Sequence, residues 1–163
     1  TQTAIAPTGT ISIIAGASAS IEPIFALAYR RTHILEGETL EEVHPLFLRA
    51  IEEHGLDAET LVPHVAETGT LRGAPGVPAS LARVFVTALE IPPERHLEIQ
   101  AAFQRHVDNS VSKTVNLPES ATPDDVARIY RRAWELGLKG ITLYRYGSKG
   151  AQVLELGRGE GPA

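Results

Sequence analysis

The residues best suited to binding a ligand lie in one short segment near the start of the chain, residues 6–12 (APTGTIS). Gly9 lets the backbone approach an anion closely, and the hydroxyl groups of Thr8, Thr10 and Ser12 are hydrogen-bond donors. A helix that begins just after the segment would add free amides and partial positive charge. No lysine follows Gly9, so this is not the phosphate loop of nucleotide hydrolases. The pattern indicates a lysine-free phosphate-binding loop, with an ordinary capped strand-to-helix turn as the alternative.

Other reactive side chains are scarce or poorly spaced. The chain has no cysteine, which excludes disulfides, thiolate nucleophiles and thiol redox chemistry from anything it does alone. Lys113 lies on a predicted strand and could approach an anion, although a lysine on a strand edge is commoner. The charged run 94–98 predicts a solvated helix start. The histidines lack the i, i+4 spacing of helix-borne metal pairs, which favours solvated or capping imidazoles at His33, His44, His54, His64, His96 and His106.

Length and composition predict one soluble globular domain with a cytoplasmic location. The chain has 163 residues, 43% of them hydrophobic, and a net charge of −5. No basic stripe is available for a nucleic acid, and no apolar run approaches the roughly 20 residues that a membrane span needs. Neither a nucleic acid nor a membrane is therefore expected as a partner. The absence of methionine favours a processed product, a split-gene product or an excerpt of a longer chain.

The elements that would position the loop are predicted from periodicity and from capping signals. Thr1–Ala6 is predicted as a short strand, Pro7–Ser12 as a loop and Ile13–Ala17 as a short helix. Phe25–Leu35 fits an extended segment or a helix. Thr39 with Glu42 forms a capping-box pattern that predicts a helix ending near Gly55.

The second half of the chain predicts three more helices, over 58–67, 78–85 and 94–107, with a loop at 72–78. It ends in a strand over 111–117, a helix that begins at Pro123, and a strand over 140–146. This order, with a crossover of suitable length, predicts a parallel β–α–β unit. The predicted domains are a segment over 1–148 and a flexible Gly-rich tail over 149–163.

Three blocks of sequence together resemble the large, catalytic subunit of ribonucleotide reductases. They are residues 3–31 (TAIAPTGTISIIAGASASIEPIFALAYRR), 101–118 (AAFQRHVDNSVSKTVNLP) and 122–148 (TPDDVARIYRRAWELGLKGITLYRYGS), and they occur in the order of that family. The APTGTIS form resembles the cobalamin-dependent enzymes more than the di-iron ones. Residues 38–90 contribute little to the likeness beyond a helical pattern.

The resemblance implies an α/β fold, the C-terminal part of a ten-stranded α/β barrel, helix-rich with few strands. Residues 1–148 would be a partial catalytic barrel segment. The resemblance places the substrate-diphosphate contacts within residues 1–148. It implies no catalytic residue and no metal ligand in this chain. Those contacts fall on Pro7, Thr8, Gly9, Thr10 and Ile11, with Ser12 as an addition.

The implied activity of the whole enzyme is reduction of ribonucleotides to deoxyribonucleotides by radical chemistry, for DNA synthesis. Its cofactor would be adenosylcobalamin, which this chain alone is not expected to bind firmly. The implied partners are a ribonucleoside di- or triphosphate, an upstream part of the subunit carrying the catalytic cysteines, and a second copy in a homo-oligomer. Without a cysteine, the chain alone is expected to be inactive.

Two alternatives remain open on the sequence, a di-iron-dependent reductase subunit and a non-catalytic helical interaction module that keeps the fold. Di-iron enzymes carry two adjacent tyrosines in the strand that corresponds to 141–146. Here Arg145 separates Tyr144 from Tyr146, which counts against that class and fits a strand end near the cobalamin. Tyr144 as a packed strand aromatic is favoured over a redox role.

Overall fold

The computed structural model describes residues 1–34 and 38–148. Its helices are α1 (Gly9–Ala15), α2 (Pro45–Glu53), α3 (Ala58–Thr68), α4 (Ala79–Val84), α5 (Pro93–Gln104) and α6 (Pro123–Glu135). Its strands are β1 (Ala28–Ile34), β2 (Glu38–Val43), β3 (Thr114–Leu117) and β4 (Thr142–Arg145). The described chain divides into two compact units, one formed by residues 1–23 and 91–148 and the other by residues 24–90. The tail predicted over 149–163 lies outside the described residues.

The first unit is built around a parallel strand pair. β3 pairs with β4 from Thr114 opposite Thr142 to Leu117 opposite Arg145, and α6 is the crossover between them. This confirms the predicted parallel β–α–β unit. Its core joins α5, β3 and α6 through the buried side chains Leu97, Val115, Leu117, Ile129 and Ala133. Because both strands are only four residues long, packing against the helices supplies most of the buried apolar surface.

The helix α6 begins at the predicted cap. Thr122 Oγ1 accepts a hydrogen bond from the Asp125 amide at 3.2 Å, and the Asp125 carboxylate accepts one from the Thr122 amide at 2.9 Å. Pro123 occupies the first turn, where its missing amide hydrogen is not needed. The backbone hydrogen bond from Thr122 lowers the pKa of Asp125, and the Thr122 side chain and Arg128 act in the same direction.

We expect Thr122→Ala to lower the free energy of unfolding by about 1 kcal/mol, because one helix-end amide loses its acceptor. Ser120→Ala, at an exposed turn residue just before the helix, should change it little. Since the folded-state pKa of Asp125 lies below its usual 3.8, the stabilisation from its hydrogen bonds is present above that pH and is lost as pH falls through the folded-state value. Urea unfolding followed by circular dichroism, at neutral pH and near pH 3, measures both effects. Equal losses in the two variants would contradict the capping assignment.

The second unit has its own core beneath an antiparallel strand pair. β1 pairs with β2 from Ala28 opposite Val43 to Ile34 opposite Glu38, with an irregularity between Arg31 and Ile34. Helices α2 and α3 pack in the same unit. The buried cluster contains Leu27, Ala28, Phe47, Ile51, Leu61, Val65, Leu71 and Ala74.

The capping-box prediction at Thr39 is wrong. Residues 38–43 form β2, and the helix begins five residues later than predicted, at Pro45, with His44 as its N-terminal cap residue. The backbone of β2 is satisfied by pairing with β1, an interaction between segments that a local capping pattern does not register. The extended alternative for 25–35 is confirmed by β1 as far as Ile34, and Leu35 lies outside the described residues.

The predicted strand over 1–6 is reduced to a single bridge. Ile5 pairs with Val111 in parallel, while the amides of Gln2 and Thr3 donate to the Asp108 carboxylate at 2.8 and 3.1 Å. These hydrogen bonds lower the pKa of Asp108, and the one from Gln2 has the largest effect. A side chain therefore holds the first residues where a strand ladder was expected.

None of the helices in the described residues is long and apolar enough to span a membrane.

Candidate phosphate-binding site

The loop segment, defined here as residues 7–12, contains the start of α1. The helix begins at Gly9, four residues earlier than predicted, and Thr8 before it has a left-handed backbone with φ 50° and ψ 23°. The first helical hydrogen bond runs from the Ser12 amide to the Thr8 carbonyl at 2.8 Å. The amides of Gly9, Thr10 and Ile11 therefore have no carbonyl acceptor within the helix, so they can donate to a ligand.

Gly9 leaves the approach to these amides open. A Cβ atom built on Gly9 would meet nothing within 4 Å, and both Gly9 and Thr10 are exposed. Gly9 is helical with negative φ, so its backbone conformation does not require glycine. What glycine contributes here is space over the helix start.

The hydroxyl groups of the loop segment have different roles. Ser12 is buried, and its Oγ donates to the Gly9 carbonyl at 2.7 Å, so it braces the first turn of α1. Thr8 Oγ1 accepts a hydrogen bond from the Ser20 amide at 2.9 Å. The exposed Thr10 hydroxyl makes neither of these hydrogen bonds, and the contact with Ser20 does not use the hydroxyl proton of Thr8, so Thr10 and Thr8 are the candidate side-chain donors for an anion. A contact between Ser12 and the substrate diphosphate remains a prediction.

Lys113 is neither exposed nor on an open strand edge. Its side chain is fully buried just before β3, and its Nζ contacts Glu22 Oε2 at 2.7 Å. The same nitrogen lies 2.8 Å from His96 Nδ1 and 2.8 Å from the Thr114 carbonyl. Burial lowers the pKa of Lys113, while the hydrogen bond and the charge of Glu22 oppose that shift. Both sequence alternatives for Lys113 are therefore replaced by a buried ion pair.

One of the histidines that the structure describes contradicts the prediction of a solvated imidazole directly. His96 is buried and contacts Lys113, which corrects the expectation of a solvated imidazole and of a fully solvated helix start. His54 Nδ1 lies 2.9 Å from the Ala50 carbonyl at the end of α2, as a capping imidazole does. No group of three His, Cys, Asp or Glu side chains that could hold a metal occurs among the residues that the structure describes.

The tyrosine-containing strand predicted over 140–146 is β4, which pairs in parallel with β3. Tyr144 and Arg145 belong to β4, and Tyr146 follows it, with its amide donating to the Leu117 carbonyl at 2.9 Å. Arg145 is exposed and donates to the Glu119 carbonyl at 2.7 Å, whereas both tyrosines are half-buried. Two half-buried tyrosines therefore flank one exposed arginine in the sequence at the end of β4.

The residues that the sequence reasoning missed are those that anchor the loop segment. No local pattern in the sequence indicates a role for Glu22, because its partners, Lys113 and the Thr114 amide, lie more than ninety positions away. Ser20 is a second such residue, because its amide donates to Thr8 Oγ1 and its φ is 49°, in the left-handed region. An acidic residue with only apolar and proline neighbours, as in Ile21-Glu22-Pro23, was the available signal for a buried partner.

The parallel β3–α6–β4 unit places the chain among α/β proteins. Residues 1–144 match the family described as ribonucleotide reductase, barrel domain, and the chain belongs to that family. The match confirms the fold class predicted from the resemblance, a helix-rich part of an α/β barrel.

The chain is also similar to curated reductases along most of its length. It is 52% identical to a vitamin B12-dependent ribonucleoside-diphosphate reductase of Mycobacterium tuberculosis over 93% of this chain and 22% of that protein. It is 53% identical to a protein of the same name from Thermoplasma acidophilum, over 98% of this chain and 21% of that one. A vitamin B12-dependent ribonucleotide reductase of Streptomyces coelicolor is 36% identical over 92% of this chain and 16% of its own length. The chain thus spans about a fifth of the length of the first two relatives.

Proposed function

We propose that this chain is the substrate-diphosphate-binding part of a vitamin B12-dependent ribonucleotide reductase. The observation that carries the proposal is the start of α1, where the amides of Gly9, Thr10 and Ile11 lack helical acceptors beneath an uncovered Gly9. Backbone amides at a helix start suit a phosphate group in both hydrogen bonding and charge. The names of the first two relatives, which specify a diphosphate, favour a ribonucleoside diphosphate as substrate.

The task of the loop segment in such an enzyme is positioning. Amides and the Thr10 hydroxyl hold the diphosphate, a part of the substrate that does not react, and thereby fix the ribose relative to the catalytic groups. The chain has no cysteine, so the thiol groups of the reduction belong to another part of the subunit. The activity of the whole protein is reduction of the ribose 2′-hydroxyl by radical chemistry.

Adenosylcobalamin, when bound, supplies the radical for this class of reductase. The described residues of this chain offer it contact surface and no ligand cluster for cobalt. Two half-buried rings, Tyr144 and Tyr146, can border a large planar group, and the Arg145 guanidinium is already directed at the Glu119 carbonyl. We place this strand near the cofactor and assign it no proton or electron transfer.

The di-iron alternative is disfavoured by the Tyr-Arg-Tyr strand and by the names of the relatives. The alternative of a non-catalytic interaction module predicts that the loop segment has no affinity for diphosphate.

The test is amide hydrogen exchange of the whole reductase, followed by mass spectrometry. We expect a ribonucleoside diphosphate to slow exchange in peptides covering residues 8–12, because bound amides are protected. The matched unphosphorylated nucleoside should leave the same peptides unchanged. Equal exchange with diphosphate and with nucleoside would contradict the proposed role of the loop segment and favour the interaction module.

A further inference from the structure

The two ends of the loop segment are held by one stretch of chain, residues 111–114. Ahead of the segment, Ile5 forms a parallel bridge with Val111, and its carbonyl accepts from the Ser112 amide at 3.0 Å. Beyond the segment, Glu22 Oε1 accepts from the Thr114 amide at 2.6 Å. Both flanks of α1 are therefore tied to the residues that lead into β3.

The ammonium group of Lys113 completes the second tie. It carries three protons, and three acceptors surround it: Glu22 Oε2, the Thr114 carbonyl and His96 Nδ1. A charged lysine has no acceptor capacity, so opposite the ammonium group His96 Nδ1 is the acceptor. Because every proton is engaged and the side chain is fully buried, Lys113 is not available to contact a phosphate.

The loop segment needs such external support. Thr8 is β-branched and has φ 50°, and Ser20 has φ 49°; left-handed backbone is costly for both residues and persists only when the surroundings enforce it. The two residues are joined by the hydrogen bond from the Ser20 amide to Thr8 Oγ1. Glu22 lies two residues beyond Ser20, so its anchorage limits how far Ser20, and with it Thr8, can move.

We propose that Glu22 and Lys113 are positioning residues, which hold the loop segment in the geometry that binds the substrate diphosphate. The inference rests on the proposed function of that segment. Neither side chain touches the substrate; each acts through the backbone from Glu22 to Ser20 and the hydrogen bond between Ser20 and Thr8. Loss of the pair should therefore weaken binding of the non-reacting diphosphate more than it slows the chemical step.

The experiment compares Lys113→Met and Glu22→Gln in the whole cobalamin-loaded reductase. We expect Lys113→Met to raise the KM for ribonucleoside diphosphate at least about tenfold while kcat falls about threefold or less, because lost uniform binding appears in KM. Glu22→Gln keeps an oxygen for the Thr114 amide and should raise KM less. The double variant should match Lys113→Met, since partners in one network are not additive.

Val115→Ala is the matched control. Val115 lies in β3, two residues from Lys113, and is fully buried with no polar group, so its truncation destabilises the same strand without altering the ties. Melting temperature is measured for every variant. Val115→Ala should leave KM within about twofold of that of the unsubstituted enzyme, even if it lowers the melting temperature as much as Lys113→Met does. If Lys113→Met does not fold, the milder Glu22→Gln decides the question.

An unchanged KM in both Glu22→Gln and a folded Lys113→Met would overturn the positioning role, as would an equal rise in Val115→Ala. Gly9→Val separates this failure from failure of the proposed function. If Gly9→Val raises KM while Lys113→Met and Glu22→Gln leave it unchanged, the diphosphate site stands and only the positioning role is contradicted. An unchanged KM in all of them removes the proposed function itself.

Discussion

Gly9→Val in the whole reductase is expected to raise the KM for ribonucleoside diphosphate by about tenfold to about a hundredfold. A hydrogen bond to a charged group contributes about 1.5–3 kcal/mol, and each 1.4 kcal/mol is about tenfold in affinity. The valine side chain would occupy the space over the amides of Gly9, Thr10 and Ile11, where nothing now lies within 4 Å of a built Cβ. Because the contacted group is remote from the reacting ribose, kcat should change far less than KM.

The substitution is informative because it is expected to spare the fold. Gly9 is helical and surrounded by open space, so a side chain there causes no clash within the chain. Ala15→Val, at the exposed last residue of α1, is the matched control and should leave KM unchanged. Steady-state kinetics with melting temperatures measure the effect. An unaltered KM in a folded Gly9→Val enzyme would show that the diphosphate binds elsewhere.

Phe47→Ala should produce the largest loss of stability in the second unit, about 3–5 kcal/mol. Phe47 is 0% exposed, and its ring lies 5.6 Å from that of Phe85, with 59° between the ring planes. Truncation removes this tilted aromatic contact and leaves a cavity between α2 and its neighbours in the core. Urea unfolding of the chain, followed by circular dichroism, measures the change.

The adjacent residue provides the control for Phe47. Leu46 lies on the same helix but is 61% exposed, so Leu46→Ala should change the free energy of unfolding by about 0.5 kcal/mol or less. Losses of similar size in the two variants would contradict the assignment of Phe47 to the core. Peptide-level hydrogen exchange adds a second measurement, because the protection lost in Phe47→Ala should include residues 45–68.

Local signals in the sequence were sufficient for the elements that local chemistry controls. Thr122, Pro123 and Asp125 predicted the start of α6, and the structure has a capping box there. Gly55, near which a helix was predicted to end, and Gly137 adopt left-handed backbone just beyond α2 and α6, as C-terminal glycines do. Where tertiary pairing competed with a local pattern, the prediction failed, and residues 38–43 became a strand despite the capping signal of Thr39 and Glu42.

The amino-acid sequence alone predicted the family, the parallel β–α–β unit and the loop segment as the candidate diphosphate site. It could do so because motif, helix cap and strand pattern are each encoded within a few neighbouring residues. How that segment is held became apparent from contacts between distant parts of the fold. The partners of Glu22 are Lys113 and Thr114, more than ninety positions away, and burial of Lys113 against His96 has no local signature. Buried polar groups find their partners across the fold, because folding removes them from water wherever the chain brings them together.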